Sequence, residues 1–215
     1  MDFKDFIEKL SRELTLPLPG KDVQLRMTSN VRIREMMDLT NMNMDNAIRS
    51  SVLILLYPGE GDRIPTFVVT LRPTYDGVHS GQISLPGGRY EKHDENLMQT
   101  ALRETDEEIG VDQRKVSVIG KLTELYIPPS NYIVHPFIGF TGSRPVFRPQ
   151  PEEVEQIIEI PVHELADDKN RMEKEFDVRG IHFKAPSFVI GGNIIWGATA
   201  MILSEFKEIL QKILS

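Results

Sequence analysis

Cysteine is absent from the 215-residue chain. Its absence excludes disulfides, thiolate-bound metals and cysteine nucleophiles together. It also fits a reducing compartment, and the expected location is the cytoplasm. Basic runs are missing too. With 25 Lys and Arg against 32 Asp and Glu, the net charge is −7, so nucleic acid is not expected as a main partner. No apolar run approaches the roughly 20 residues that cross a bilayer, so no membrane partner is expected either. The start, MDFKDFIEKL, is charged throughout and has no apolar signal-peptide segment. The final ILS is not a peroxisomal SKL. Internal repeats, low-complexity tracts and linkers between two cores are also lacking.

The rest is ordinary globular material, 40% hydrophobic and 27% charged. The length allows one large domain or two small ones, and without a linker a single domain over 1–215 is expected. Phe3, Phe6, Ile7, Leu10 and Leu14 predict an amphipathic helix closed by LPLPG at 16–20. Met27, Met36, Met37, Met42 and Met44 fall in a polar stretch over 26–49, where flexible side chains fill gaps. Residues 1–45 thus form an N-terminal helix and arm. Strands are expected at 51–57, 66–72, 82–88, 115–126, 133–140, 156–162, 178–185 and 188–196. A C-terminal helix over 198–214 puts Ile202, Phe206, Leu210 and Ile213 on one side. Strands interleaved with few helices predict an α/β fold, a mixed sheet covered by helices on both faces. The two terminal helices could pack on their own domain or meet a second copy in a homodimer.

Charge is crowded at RETDEEIG, residues 103–110. Leu97, Met98, Ala101, Leu102, Thr105 and Ile109 recur at helical spacing, with Asp94 available as a cap and Gly110 just past the end. Glu104 and Glu108 repel at i,i+4 by roughly 0.2–0.5 kcal/mol. Acids in the last turn also face the negative end of the helix dipole, at about 0.3–1 kcal/mol each. Stability alone would place Lys here. At about 100° per residue, Glu104, Glu107 and Glu108 converge along one edge of the apolar stripe, and Asp106 points away. A divalent cation would turn their repulsion into attraction, and hard oxygen ligands suit Mg²⁺ or Mn²⁺.

The acidic helix follows LPGGRYEKHDE, in which Gly87-Gly88 lets the backbone turn sharply and approach a ligand. With Arg103-Glu104 and Glu107-Glu108-Ile109-Gly110 at fixed spacing, residues 88–110 resemble the Nudix box. The box pattern has five residues between its glycine and first glutamate. Here six separate Gly88 from Glu95, which leaves the roles of Asp94 and Glu95 open. The segments at 68–88, 124–140, 151–162 and 195–200 are similar to those of the coenzyme A pyrophosphatase subgroup. Gly77 stands where that subgroup usually carries a basic residue.

This resemblance implies an α/β/α sandwich and hydrolysis of a nucleoside diphosphate derivative with Mg²⁺ or Mn²⁺. It implies Glu104, Glu107 and Glu108 as metal ligands, with Glu95 a further candidate, and Arg103 orienting them. Glu104 or Glu153 would be the general base. Arg72, whose planar fork suits a phosphate, together with His79, Gln82, Gly87 and Gly88 would contact the substrate. Tyr132 would stack on adenine. The subgroup's reaction would cut coenzyme A or acyl-CoA to 3′,5′-ADP and 4′-phosphopantetheine or its acyl form. Alternatives are ADP-ribose, NADH or a damaged nucleotide as substrate, a nucleotide-binding module without catalysis, or a scaffold. A scaffold explains neither the acidic helix end nor the Gly-Gly turn, and a binding module has no need of all three acids.

Overall fold

The apolar run at 51–57 becomes the middle of β1 (Ile48–Pro58), with Leu53 to Tyr57 fully buried. It is covered on both faces, which is why it reads as continuous rather than alternating hydrophobicity. The computed structural model describes residues 1–29, 46–59, 64–73, 81–178 and 180–214. Met36, Met37, Met42, Met44, Gly77 and His79 lie outside the described residues.

Strand β7 (Tyr132–Phe140) runs parallel to β1, paired from Ile48↔Tyr132 to Leu56↔Phe140. The other pairings are antiparallel: β2 (Pro65–Leu71) on β1, β8 (Gln156–Pro161) on β2, and β5 (Ser117–Lys121) and β6 (Leu125–Ile127) on β7. Leu53, Leu55 and Tyr57 face one side with Ala101, Leu102 and Ile109 of α3 (Leu97–Ile109). Ile54 and Leu56 face the other side. There they meet α1 (Phe3–Glu13) and α5 (Gly197–Leu214), whose Phe6, Leu10, Phe206 and Leu210 are fully buried. The expected mixed sheet between helical layers is what forms. Two short helices complete the set among the described residues, α2 (Lys21–Leu25) and α4 (Val162–Ala166).

Two details position the site. Strands β1 and β2 pair only from Leu56↔Phe67 to Pro58↔Pro65 and then diverge. The wedge is filled by β3 (Ile83–Ser84), paired with β2, and β4 (Gly87–Arg89), paired with β1. The expected strand at 82–88 is therefore two short ones, joined where Pro86 O accepts from Leu53 N. Likewise the strand expected at 115–126 breaks into β5 and β6.

The late strands need a larger correction. Residues 178–185 and 188–196 do not form two strands. They belong to a three-stranded meander, β9 (Arg171–Val178), β10 (Ile181–Ile190) and β11 (Asn193–Ile195). The turns fall at Gly180 and at Gly191-Gly192, inside the runs read as continuous. Phe188, Ile190 and Ile195 join the core beside α5. Phe176 stacks on Trp196 at 4.5 Å.

Helix α3 starts at Asn96, whose Oδ1 accepts from Gln99 N at 3.0 Å. Asp94 is therefore not the cap, and Met98, counted in the apolar stripe, is exposed. Gly110 ends the helix in the left-handed region, as expected.

Candidate active site

The acids of α3 meet the Gly-Gly turn of the wedge. Gly87 has φ of 151°, open to glycine, and its N–H donates to Glu108 Oε2 at 3.1 Å. A Cβ on Gly88 would overlap the Glu104 carboxylate, so only glycine lets the helix acids approach this backbone. Arg72, at the end of β2, places Nη2 4.0 Å from Glu108 Oε1 and Nε 3.4 Å from Ser84 Oγ.

The far wall comes from the loop before β8. Arg148 N donates to Ile109 O and Gln150 N to Glu108 O, each at 2.9 Å. These bonds satisfy carbonyls that a helix C-terminus otherwise leaves open. The loop is thereby fixed to the end of α3, and Glu152 and Glu153 stand over the gap. The result is a cavity of about 320 Å³ lined by Arg72, Pro73, Gly87, Gly88, Glu104, Glu108, Glu152 and Glu153.

Among the described residues, four carboxylates share this cavity with one guanidinium. Burial pushes Glu108 up to about 7, with Glu104 and Glu153 adding repulsion and with Arg72 and the Gly87 N–H opposing. Burial also raises Glu104, against the pull of Arg103. Negative charge is therefore under-compensated, and the hard oxygen donors suit a divalent cation. Glu104 and Glu108 are the nearest candidates to hold it. Among the described residues, no three acid or histidine side chains are already gathered to hold an ion. The donor chemistry fits, and the donors would have to draw together on binding.

Arg103 holds the other side of α3. Its Nε donates to Asp94 Oδ1 at 2.8 Å and its Nη2 to Asp94 Oδ2 at 3.1 Å. The same guanidinium reaches Glu104 at 2.9 Å and Glu107 at 2.8 Å. Asp94 is buried and also accepts from Glu91 N and Thr100 Oγ1. Arg103 first, then these neutral donors, holds it well below the usual carboxylate range against the cost of burial. The acid that answers Arg103 is thus Asp94, and Glu95 is exposed.

Of the residues expected from sequence, the cavity brings together Arg72, Gly87, Gly88, Glu104, Glu108 and Glu153. Glu107 is more than half exposed and points to Arg103. Gln82 adjoins the site through its backbone, its carbonyl accepting from Arg72 N at 3.0 Å. Tyr132 pairs with Ile48, three positions along β1 from the Ser51 that pairs with Gly88, and it does not line the cavity. Sequence reasoning missed Glu152, one residue before the expected Glu153, and the anchoring role of Asp94.

Known proteins match this picture. The model of the NUDIX domain matches residues 47–178. Nudix hydrolase 22, chloroplastic, of Arabidopsis thaliana is 36% identical over 161 residues, covering 72% of this chain and 53% of that protein. The chain thus spans about half the length of that relative. NudL of Yersinia pestis (strain Pestoides F), an uncharacterized Nudix hydrolase, is 34% identical over 144 residues, or 67% of this chain and 72% of NudL. Two crystal structures share the fold alone. The Nudix hydrolase RenU from M. smegmatis has a TM-score of 0.55 at 16% identity, covering 78% of this chain and 88% of its own. A MutT/nudix family protein from Enterococcus faecalis has 0.53 at 15%, covering 91% and 78%. On the matched domain and the intact acids of α3, the chain belongs to the Nudix hydrolase family.

Proposed function

We propose that this chain is a divalent-metal-dependent hydrolase that cuts the diphosphate of coenzyme A or an acyl-CoA. The products would be 3′,5′-ADP and 4′-phosphopantetheine or its acyl form. The observation that carries the reaction class is the cavity itself, where Glu104 and Glu108 face the Gly87-Gly88 backbone and Arg72. The choice of substrate is supported by the likeness of residues 68–88, 124–140 and 195–200 to the coenzyme A pyrophosphatases. The lack of cysteine supports action in a reducing compartment such as the cytoplasm.

Glu104, Glu108 and, once released from Arg103, Glu107 would hold Mg²⁺ or Mn²⁺. The ion would neutralise diphosphate charge and make water a better nucleophile. Arg72 offers its fork to a phosphate oxygen and fixes the diphosphate along the wedge. Arg103, anchored on Asp94, keeps Glu104 aimed at Gly88. Water oxygen attacks one phosphorus, the bridging P–O bond breaks, and the bridge oxygen leaves on the other phosphate. A carboxylate takes the water's proton. Glu104 and Glu153 face the cavity from opposite walls, and either can do so.

The test is incubation with Mg²⁺ or Mn²⁺ and CoA, acyl-CoA, ADP-ribose, NADH or 8-oxo-dGTP, with separation of products. Cleavage of CoA at the diphosphate is expected. Turnover of another member of the panel in its place would move the substrate, and no turnover at all would sink the enzyme reading. Comparing Glu104→Gln with Glu153→Gln identifies the base, since only its loss removes the acidic limb of the pH–rate profile.

A further inference from the structure

Gly88 pairs with Ser51, and Ser51 pairs with His135 on the next strand. The three residues form one rung across β4, β1 and β7. At about 4.8 Å per strand, His135 lies roughly 10 Å from Gly88, a reach of about one nucleoside. Side chains alternate between faces. His135 therefore shares the α3 face with Phe137, which packs in the cluster under that helix. Arg49, in step with Leu53, points to the same face. So does Lys121, which pairs with Phe137. Arg49 and Lys121 sit diagonally from His135 on its two neighbouring strands, a separation of about 7–8 Å or less at Cβ.

This stretch of the sheet is built with some care for charge. The Arg49 guanidinium lies 4.6 Å from the centroid of the Tyr90 ring. Tyr90 is fixed by its N–H to Arg49 O at 2.9 Å and its hydroxyl to Asp94 O at 3.2 Å. Arg49 is thus tied to the loop that carries the anchor of Arg103. His135 is half-buried, with Glu124 at 3.8 Å as its one acidic neighbour among the described residues. Burial lowers its pKa, Glu124 opposes this, and Arg49 and Lys121 lower it further. In a chain of net charge −7, two fixed cations and an ionisable imidazole face one carboxylate here among the described residues, where the reaction does not use them.

We propose that Arg49, Lys121 and His135 form an anion subsite for a phosphate monoester on the nucleoside half of the substrate, one nucleoside away from the diphosphate that is cut. The subsite rests on the diphosphatase reading for its purpose. Arg49 supplies a planar fork, Lys121 a point charge, and His135 a donor that takes a proton as the anion arrives.

The test is calorimetric titration in Mg²⁺ with 3′,5′-ADP and with AMP, which differ only in that monoester. Wild type is expected to bind 3′,5′-ADP about tenfold more tightly, as charge-assisted bonds of this kind provide. Lys121→Ala, at an exposed position, and Arg49→Ala should each shrink the preference to below about threefold with AMP affinity unchanged. His135→Gln should do the same. Equal affinity of wild type for the two nucleotides, or variants that weaken both alike, would overturn the subsite. Parallel turnover of CoA and dephospho-CoA separates the two claims. A wild type that prefers 3′,5′-ADP but cuts neither overturns the diphosphatase reading and leaves the subsite standing. Cleavage of CoA without any binding preference does the reverse.

Discussion

At the scale of single residues, Asp94 and Glu95 stand next to each other and should behave in opposite ways. Asp94 holds Arg103 through two bonds from a buried position. Removing one partner of a buried pair costs about 3–5 kcal/mol. Arg103 keeps Glu104 and Glu107, so the lower end is expected for Asp94→Asn, along with a fall in kcat as Glu104 loses its support. Glu95→Gln should leave stability and turnover within about twofold. Urea denaturation and steady-state kinetics on both variants decide this, and a damaged Glu95 variant would return the role to that residue. The box motif disclosed Arg103, Glu104 and Glu108, because chemistry fixes their spacing on one helix. It could not show which acid of a lengthened loop turns inward, and Glu152 depends on a tertiary loop contact. Glu108 gives a second test, through pH. Its folded pKa of about 7 lies above the ordinary value of 4.5, so the folded state binds the proton more tightly than the unfolded chain. That contribution is full below about pH 4.5 and is lost as pH rises to about 7, roughly 3 kcal/mol at most. In EDTA, wild type should therefore lose more melting temperature between pH 5 and 8 than Glu108→Gln. Parallel curves would mean that Glu108 is not strained by burial.

Among the elements, the join between the N-terminal arm and α5 rests on Glu205. This residue is fully buried and accepts from Gly20 N at 3.0 Å, Gln24 Nε2 at 2.8 Å, Thr123 N at 3.1 Å and Thr123 Oγ1 at 2.6 Å. One carboxylate thus satisfies donors from the arm, from α2 and from the segment between β5 and β6. Glu205→Ala leaves those donors buried, at about 1–3 kcal/mol for each one that stays unpaired. A loss of about 3 kcal/mol and faster proteolysis in the arm are expected. Glu208→Ala, which removes an exposed pair with Arg26 at 2.8 Å, should cost under about 1 kcal/mol. Similar losses in the two variants would remove the clasp. None of this was legible in sequence, where Glu205 looks like any polar residue of an amphipathic helix. The elements that were legible carry a strong apolar signal, a continuous buried run in β1 and helical periodicity in α5. The meander was misread because a glycine inside a β-branched and aromatic run can continue a strand or turn it. Gly180 turns it, with its N–H donating to Asp177 Oδ1 at 3.0 Å.

For the molecule as a whole, the question is whether the crowded end of α3 exists for a cation, and Glu107→Gln tests it. The wild-type carboxylate is exposed and paired with Arg103 at 2.8 Å, a contact worth about 0–1 kcal/mol. Against that stand repulsion within the acid cluster and an unfavourable dipole contact, of similar size. In EDTA the variant should therefore unfold within about 0.5 kcal/mol of wild type. Mg²⁺ changes the comparison, because an ion that binds only the folded state stabilises the whole fold in proportion to the logarithm of its concentration over Kd. Losing one ligand raises Kd. The wild type should gain more melting temperature from Mg²⁺ than the variant does, and the variant should lose most of its turnover, since a charged diphosphate needs the ion's charge. Thermal melts in EDTA and in rising Mg²⁺, beside a turnover assay, measure both effects on the same samples. A variant that stays fully active, or that gains as much from Mg²⁺ as wild type, would leave Glu107 a partner of Arg103 and nothing more.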